Sequence, residues 1–256
     1  MVYPGATLGE NVQIEPFAVI YGNVKIGDNC LISSHSVIHE GSTLGNNCQI
    51  HCGAVIGSIP QDLKFEGEAS VVEIGDNVTI REYATINRGT VYSEKTIIED
   101  NVLVMAYVHI AHDCIIRKNA ILSNAVNIAG HVEVGEHAVL GGLCGVHQFS
   151  KIGRHAMVAA GTIIRKDVPP YALAGRDPIA FYGVNRRGLK RRTFSNQDLE
   201  HIQSIYRILY LSGLNNSQAI AKIRATIAES AFREEIINFI LTSQRGIIRG
   251  ANTLHR

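Results

Sequence analysis

Tryptophan is absent from this 256-residue chain, proline occurs only six times, and aromatic residues make up 6%. With 46% hydrophobic residues, 18% charged residues and 24 glycines, neither a disordered nor a collagen-like chain fits. No run of 18 apolar residues occurs, so no membrane span is expected. The start, MVYPGATLGENVQIEP, lacks the basic and apolar segments of a signal peptide, so a cytoplasmic location is expected. Net charge is only +1, which argues against bulk nucleic-acid binding. That balance hides an asymmetry: residues 185–256 carry 12 Lys/Arg and 5 Asp/Glu, or +7, against −6 for the rest. A basic tail on an acidic body suggests anionic ligands or partners at the junction, with solvated helix faces the plainer alternative.

What the chain does have is a period of six. Leu8, Ile14, Ile20, Ile26, Ile32, Ile38, Leu44, Ile50 and Ile56 keep it without a miss; Ile74, Ile80 and Ile86 resume it; Ile98 through Ile164 restore it. Four residues after each stands a small or β-branched residue, as in Ala18, Val24, Cys30, Ser36, Val108 and Cys114. Neither a 3.6-residue helix nor a 2-residue strand repeats cleanly every six. A short strand plus a turn does, and three such units close a triangular coil of about 18 residues that stacks at about 4.8 Å per layer. The 24 hexads make about eight coils. The repeat leaves the hand open, and the general crossover preference would point to the right; similarity to known hexapeptide-repeat proteins implies a left-handed one.

The expected fold is therefore mainly β: a left-handed parallel β-helix over residues 1–184, followed by a small α-helical domain over 185–256. Two segments break the period and should leave the coil as loops, at about 57–73 and 91–97; long loops on a rigid scaffold tend to carry binding residues. The repeat should end at Pro169-Pro170, since a proline pair cannot continue a ladder. Ser195 reads as an N-cap, with Asp198 in the first turn and Phe194 with Leu199 as a hydrophobic staple. Helical spacing runs on to Gly213, and 217–228 and 232–241 read as two further helices.

Cys30, Cys48, Cys114 and Cys144 occupy inward positions. A Cys30–Cys48 disulfide is geometrically conceivable, but core thiols are the better reading in a cytosolic chain. Cys52 should point outward, and no metal-type cysteine spacing occurs.

Of 11 histidines, none sits at an inward position, and five fall within 109–147. His137 and His155 read as surface imidazoles. Counting in 18s, Asp113 lies beneath His131, and His112 beneath Gly130 and Gln148. His112, Asp113, Gly130, His131, His147 and Gln148 should form one exterior patch over three coils. A filled triangle has no internal pocket, so a ligand binds outside, and a homotrimer would supply deep clefts at its seams. Imidazole suits general base catalysis near neutral pH. Asp113 could orient it, although neighbours in an extended strand point apart, and Gly130 could offer an N–H to an oxyanion.

The segments HIAHDC (109–114), IPQDLKFEGE (59–68), INRGT (86–90), NIAGHVEVG (127–135), GVHQF (145–149), DVPPY (167–171), FYGVNRRGLKRR (181–192) and QRGIIR (244–249) resemble the UDP-N-acetylglucosamine O-acyltransferase family. These are the enzymes, dependent on acyl carrier protein, that open lipid A biosynthesis. The resemblance implies a homotrimer that moves a 3-hydroxyacyl chain to the sugar 3-position with no cofactor and no metal. It implies His112 as general base, Asp113 as its support and Gly130 as oxyanion donor. Gln61, Asp62, Lys64, His109, His131, His147 and Gln148 match substrate contacts; Asn185, Arg191 and Arg192 match nucleotide contacts. Ala159 and Ala160 fall where the family measures acyl length, and Ala160, in place of glycine, would shorten the chain accepted. Two positions depart from the common pattern: Arg187 replaces an acidic residue, and Asn87 replaces histidine, which raises a 3-amino sugar as an alternative acceptor.

Three other readings compete. A zinc enzyme of the gamma-carbonic-anhydrase type shares the coil but calls for an H-x4-H pair, which does not occur here. The related N-acyltransferase carries an N-terminal uridine-binding domain, whereas these hexads begin by Leu8. A non-catalytic scaffold would need neither His112 nor the arginine run.

Overall fold

A computed structural model describes residues 1–251. The last five positions of the expected tail, 252–256, lie outside the described residues. Three parallel sheets form the faces of a prism, and successive strands pass to successive faces. The first face begins at Thr7–Leu8, the second at Gln13–Ile14 and the third at Val19–Ile20. The fold is the left-handed parallel β-helix.

Most strands are two residues long, and the second points inward. On the third face Ile110, Ile128, Val146 and Ile164 lie in register, one above the other. Ile32, Ile50, Ile80, Val104, Leu122, Leu140 and Val158 do the same on the second face and are fully buried. The small residue four places on fills the triangle at the corner: Ala18, Val24, Cys30, Ser36 and Cys48 are all buried. Period six thus records two inward side chains per unit, and their burial drives the stacking. The corners turn through left-handed backbone, at Asn11, Asn23, Asn29, Asn47, Asn77, Asn101 and Asn119 among others. Asparagine reaches this region more cheaply than most residues.

All five cysteines are free; the four inward ones are buried and Cys52 is half-exposed. Cys30 and Cys48 meet through a hydrogen bond, the Cys48 amide donating to Cys30 Sγ at 3.4 Å.

Both excursions leave the coil at one corner, between the third and first faces. The first is shorter than expected from the sequence, because strands Val55–Ser58 and Val71–Ile74 extend into the segment assigned to the loop, and the second starts and ends three residues earlier than expected, because strand Lys95–Ile98 begins inside the assigned segment. Val71–Ile74 pairs along its whole length with Lys95–Ile98, so the residues flanking each break gain a ladder instead of leaving it. The true excursions are 59–70 and 88–94.

The stack also outlasts Pro169-Pro170. Val168 still bridges Ile152, and Ala172–Gly175 pairs with Met157-Val158. The prolines sit between those paired segments, at the corner, where no ladder N–H is needed. Ala172–Gly175 then forms an antiparallel hairpin with Ala180–Val184, and Arg249–Gly250 adds beside it. Neither feature has a period-six signature.

Among the described residues the tail holds four helices: α1 (Arg186–Arg191), α2 (Asn196–Leu211), α3 (Asn216–Thr226) and α4 (Ala231–Thr242). Ser195 caps α2 in a full capping box with Asp198. The short α1 was not expected, since six residues show no helical period. A second apolar cluster of Leu199, Ile202, Ile205, Ile223, Ile236 and Ile237 joins the helices and takes in Tyr171 from the end of the coil.

One surface assignment is overturned. His155 is 3% exposed, stacked between the rings of His137 and Tyr171 at 4.8 and 5.8 Å and edge-on to Phe194. It does face outward from the coil, but the helical tail covers it. His137 remains half-exposed.

Candidate active site

His112 and Asp113 follow strand His109–Ile110 at the corner from which both excursions emerge. Asp113 has φ +59°, so the chain there is not extended, and the two side chains converge where strand neighbours would diverge. His112 Nδ1 lies 2.8 Å from Asp113 Oδ2. The Asp113 side chain is fully buried. Its Oδ1 accepts from Thr90 N at 3.0 Å, Ser93 N at 3.2 Å and Ser93 Oγ at 2.5 Å; Oδ2 also accepts from Thr90 Oγ1 at 2.6 Å. Burial alone would raise this carboxyl, but the hydrogen bonds from His112, Ser93 and Thr90 outweigh it and hold it well below the usual carboxylate range. An ionised Asp113 accepts a hydrogen bond from His112 Nδ1–H, which leaves Nε2 bare.

The next coil up supplies Gly130 and His131. Gly130 lies against the His112 ring, and its N–H donates to no protein group among the described residues. His131 crosses His112 edge-on at 4.9 Å, stacks on Phe149 at 4.3 Å and places Nδ1 3.7 Å from Asp113 Oδ2. Burial lowers its pKa, an effect partly opposed by Asp113. Tyr92, from the second excursion, closes over the His131 ring. His112, Asp113 and His131 bring ligand atoms within 4.8 Å of one another, but Nδ1 of His112 and Oδ2 of Asp113 already share a hydrogen bond.

From the first excursion, Asp62 Oδ2 stands 4.0 Å from His112 Nε2, while Asp62 Oδ1 accepts from Lys64 N. Gln61 and Lys64 are exposed beside it. Asn87 is buried and ties this excursion down: its Nδ2 donates to Ser58 Oγ and to Ile59 O. His109 bonds Thr85 Oγ1 through Nδ1, and burial followed by the nearby His112 lowers its pKa. His109 and His147 line one open groove with Asn127 and Ile163, and Gln148 is exposed next to His147.

Ten of the fifteen residues expected at the site thus lie on one side of the chain, around the His112 corner and the groove beside it, and five do not. Arg186, Arg187, Arg191 and Arg192 rim a groove whose floor is the outward apolar row Ile121, Val139, Met157 and Leu173 of the second face. That face lies opposite the His112 corner. Asn185 is buried; its Oδ1 caps α1 at Gly188 N and its Nδ2 donates to His155 O. Ala159 and Ala160 are exposed at a third place, the corner between the second and third faces.

The domain family described as UDP N-acetylglucosamine O-acyltransferase, domain 2, matches residues 167–248. Bacterial hexapeptide-transferase repeats match 5–40 and 95–130. An acyl-[acyl-carrier-protein]–UDP-N-acetylglucosamine O-acyltransferase of Trichlorobacter lovleyi is 52% identical over 98% of this chain and 97% of its own. The chain belongs to the UDP-N-acetylglucosamine O-acyltransferase family. Solved members of that family superpose closely. The acyltransferase of Bacteroides fragilis has 48% identity and a TM-score of 0.95, covering 97% of this chain and 98% of its own. That of Acinetobacter baumannii has 37% identity and a TM-score of 0.93, with 96% of each chain covered. Among the described residues no helix is long and apolar enough to cross a membrane.

Thr90 and Ser93 were not singled out from the sequence. The available signal was positional: both excursions interrupt the period after a third-face strand, so both must emerge at the His112 corner.

Proposed function

We propose that the protein transfers a 3-hydroxyacyl chain from acyl carrier protein to the 3-hydroxyl of UDP-N-acetylglucosamine, the first step of lipid A biosynthesis. The observation that carries the mechanism is the 2.8 Å His112 Nδ1–Asp113 Oδ2 contact onto a carboxylate held ionised. With Nδ1 carrying the proton, Nε2 takes the proton of the sugar 3-hydroxyl. The oxygen attacks the thioester carbonyl, and the tetrahedral oxyanion forms beside the free N–H of Gly130. Collapse breaks the C–S bond, and the imidazolium returns its proton to the departing carrier thiolate.

Gln61, Asp62, Lys64, His109, His131, His147 and Gln148 hold the sugar and the acyl chain around this centre. Arg191 and Arg192 take the diphosphate end, with Asn185 setting the start of their helix. Guanidinium groups suit phosphate, and Arg192 is already crowded: burial, then Arg191, lowers its pKa. The same basic rim suits an acidic carrier protein.

Because the arginine groove and the His112 corner lie on opposite sides of one chain, the complete site forms between copies, as in a cyclic homotrimer. Ala159 and Ala160 reach the acyl chain from a neighbouring copy in the same way. We place the enzyme in the cytoplasm.

Mass spectrometry of the products from UDP-N-acetylglucosamine, its 3-amino analogue and a set of acyl carrier protein thioesters tests this reading. An ester at the 3-position is expected. An amide product, or none, would overturn it.

A further inference from the structure

The excursion 88–94 does more than fill the wall of the site. Its backbone turns so that Thr90 and Ser93 bracket the Asp113 carboxylate, each giving both its N–H and its hydroxyl. Three of these donors converge on Oδ1, which is therefore saturated. Oδ2 takes one, from the Thr90 hydroxyl, and keeps its second lone pair for His112. A carboxylate on a bare side chain rotates about its terminal bond with little preference; here the four donors fix its plane, so that one oxygen lone pair stays aimed at the imidazole. The clamp is itself anchored. Glu68 of the first excursion accepts from Val91 N, and Tyr92 N donates to Thr90 Oγ1.

We propose that Thr90 and Ser93 are positioning residues of the acyl transfer: by fixing Asp113 they hold the His112 proton on Nδ1 and keep Nε2 open to substrate. Neither residue needs to touch the sugar or the thioester. The proposal rests on His112 acting as the base, and it makes the second excursion part of the catalytic apparatus.

The test reads the His112 tautomer and the kinetics separately. In protein labelled with 15N-histidine, the ring nitrogens of His112 are identified by their loss in His112→Gln. Wild type should show the Nδ1–H tautomer. In Thr90→Val/Ser93→Ala the signal should move toward Nε2–H, and kcat should fall between about 10-fold and 10²-fold, the usual effect of a misplaced reacting group. KM for the nucleotide sugar should stay within about twofold, since the clamp acts on orientation and not on substrate binding. Thr90→Ser restores the hydroxyl and should keep both the wild-type tautomer and kcat. If the double variant fails to fold, Ser93→Ala alone, which leaves the backbone N–H in place, should move both readouts the same way by a smaller amount. An unchanged tautomer in the variants, or a loss shared by Thr90→Ser, overturns the proposal. The tautomer shift is measured without substrate, so a failed acyl transfer by wild type would count against the proposed reaction and not against the clamp.

Discussion

A β-carbon on Gly130 would stand 2.5 Å from Cε1 and 2.7 Å from Nε2 of His112. The ring therefore rests directly on the backbone of the next coil, in space that only glycine leaves free. Contacts that short force something to move, and here the mobile party is the imidazole. Gly130→Ala should tip His112 away from Asp113 and from its substrate, with kcat lower by about 10²-fold. The ladder on either side is intact, so the thermal midpoint should change little. Steady-state kinetics beside a melting curve checks this; a variant with normal kcat would show that the ring has another productive place to sit.

The Asp113 carboxylate is the only acceptor close to His112 Nδ1 among the described residues. Asp113→Asn keeps the shape but replaces the ionised acceptor with an amide that can donate. The neutral imidazole then loses its reason to hold the proton on Nδ1. A loss of roughly 10²–10⁴-fold in kcat is expected, in the range seen when a base loses its orienting carboxylate. The sugar KM should change much less. Equal losses in kcat and in affinity would instead assign Asp113 to substrate binding.

How much of this was legible in the sequence depends on which physical rule governs each part. The coil was, because each inward isoleucine is forced by burial and returns every six residues. The patch was, because 18 residues per turn puts His112 under Gly130 and Asp113 under His131 whatever the details. The His112–Asp113 bond was not, since alternation along a strand predicts divergence, and only the left-handed corner at Asp113 reverses it. His155 was misread for a different reason: facing away from the coil was equated with facing water, but the tail lies over that column of rings. The first excursion came out too long and the second misplaced by three residues because the residues beside each break could pair with each other, a non-local choice that no window of sequence displays.

That covered His155 gives the fold a pH dependence. Burial first, then Arg154, His137 and Arg192, pushes its pKa down to about 3, from about 6.5 when exposed. Between those values the unfolded chain binds a proton there that the folded chain does not. Its contribution to stability is therefore complete above pH 6.5 and declines as pH falls toward 3, by up to roughly 1.4 kcal/mol per pH unit. His155→Phe keeps a ring between His137 and Tyr171 and removes the titration. Between pH 6.5 and 4.5 the wild-type melting temperature should fall more steeply than that of the variant. Parallel curves would mean that His155 takes up its proton without opening the tail.

The last expectation follows from the prism itself. His112 stands at the corner between the third and first faces, while Arg191 and Arg192 rim the groove over the second face, opposite that corner. One chain cannot offer both to the same nucleotide sugar across a filled core, so in the proposed reaction a working site draws the base from one copy and the arginines from another. His112→Ala should then be inactive, and Arg192→Ala should bind the nucleotide sugar weakly, yet the two should complement each other. In mixed trimers formed by co-expression or by refolding together, random assembly leaves about one site in four with both residues intact. Activity at low nucleotide sugar should rise to that fraction of wild type, well above either variant alone. A mixture no more active than its parents would place base and arginines in one chain's own site. The same trimers assembled from His112→Ala and Gly130→Ala should gain nothing, because those two residues touch within a single chain.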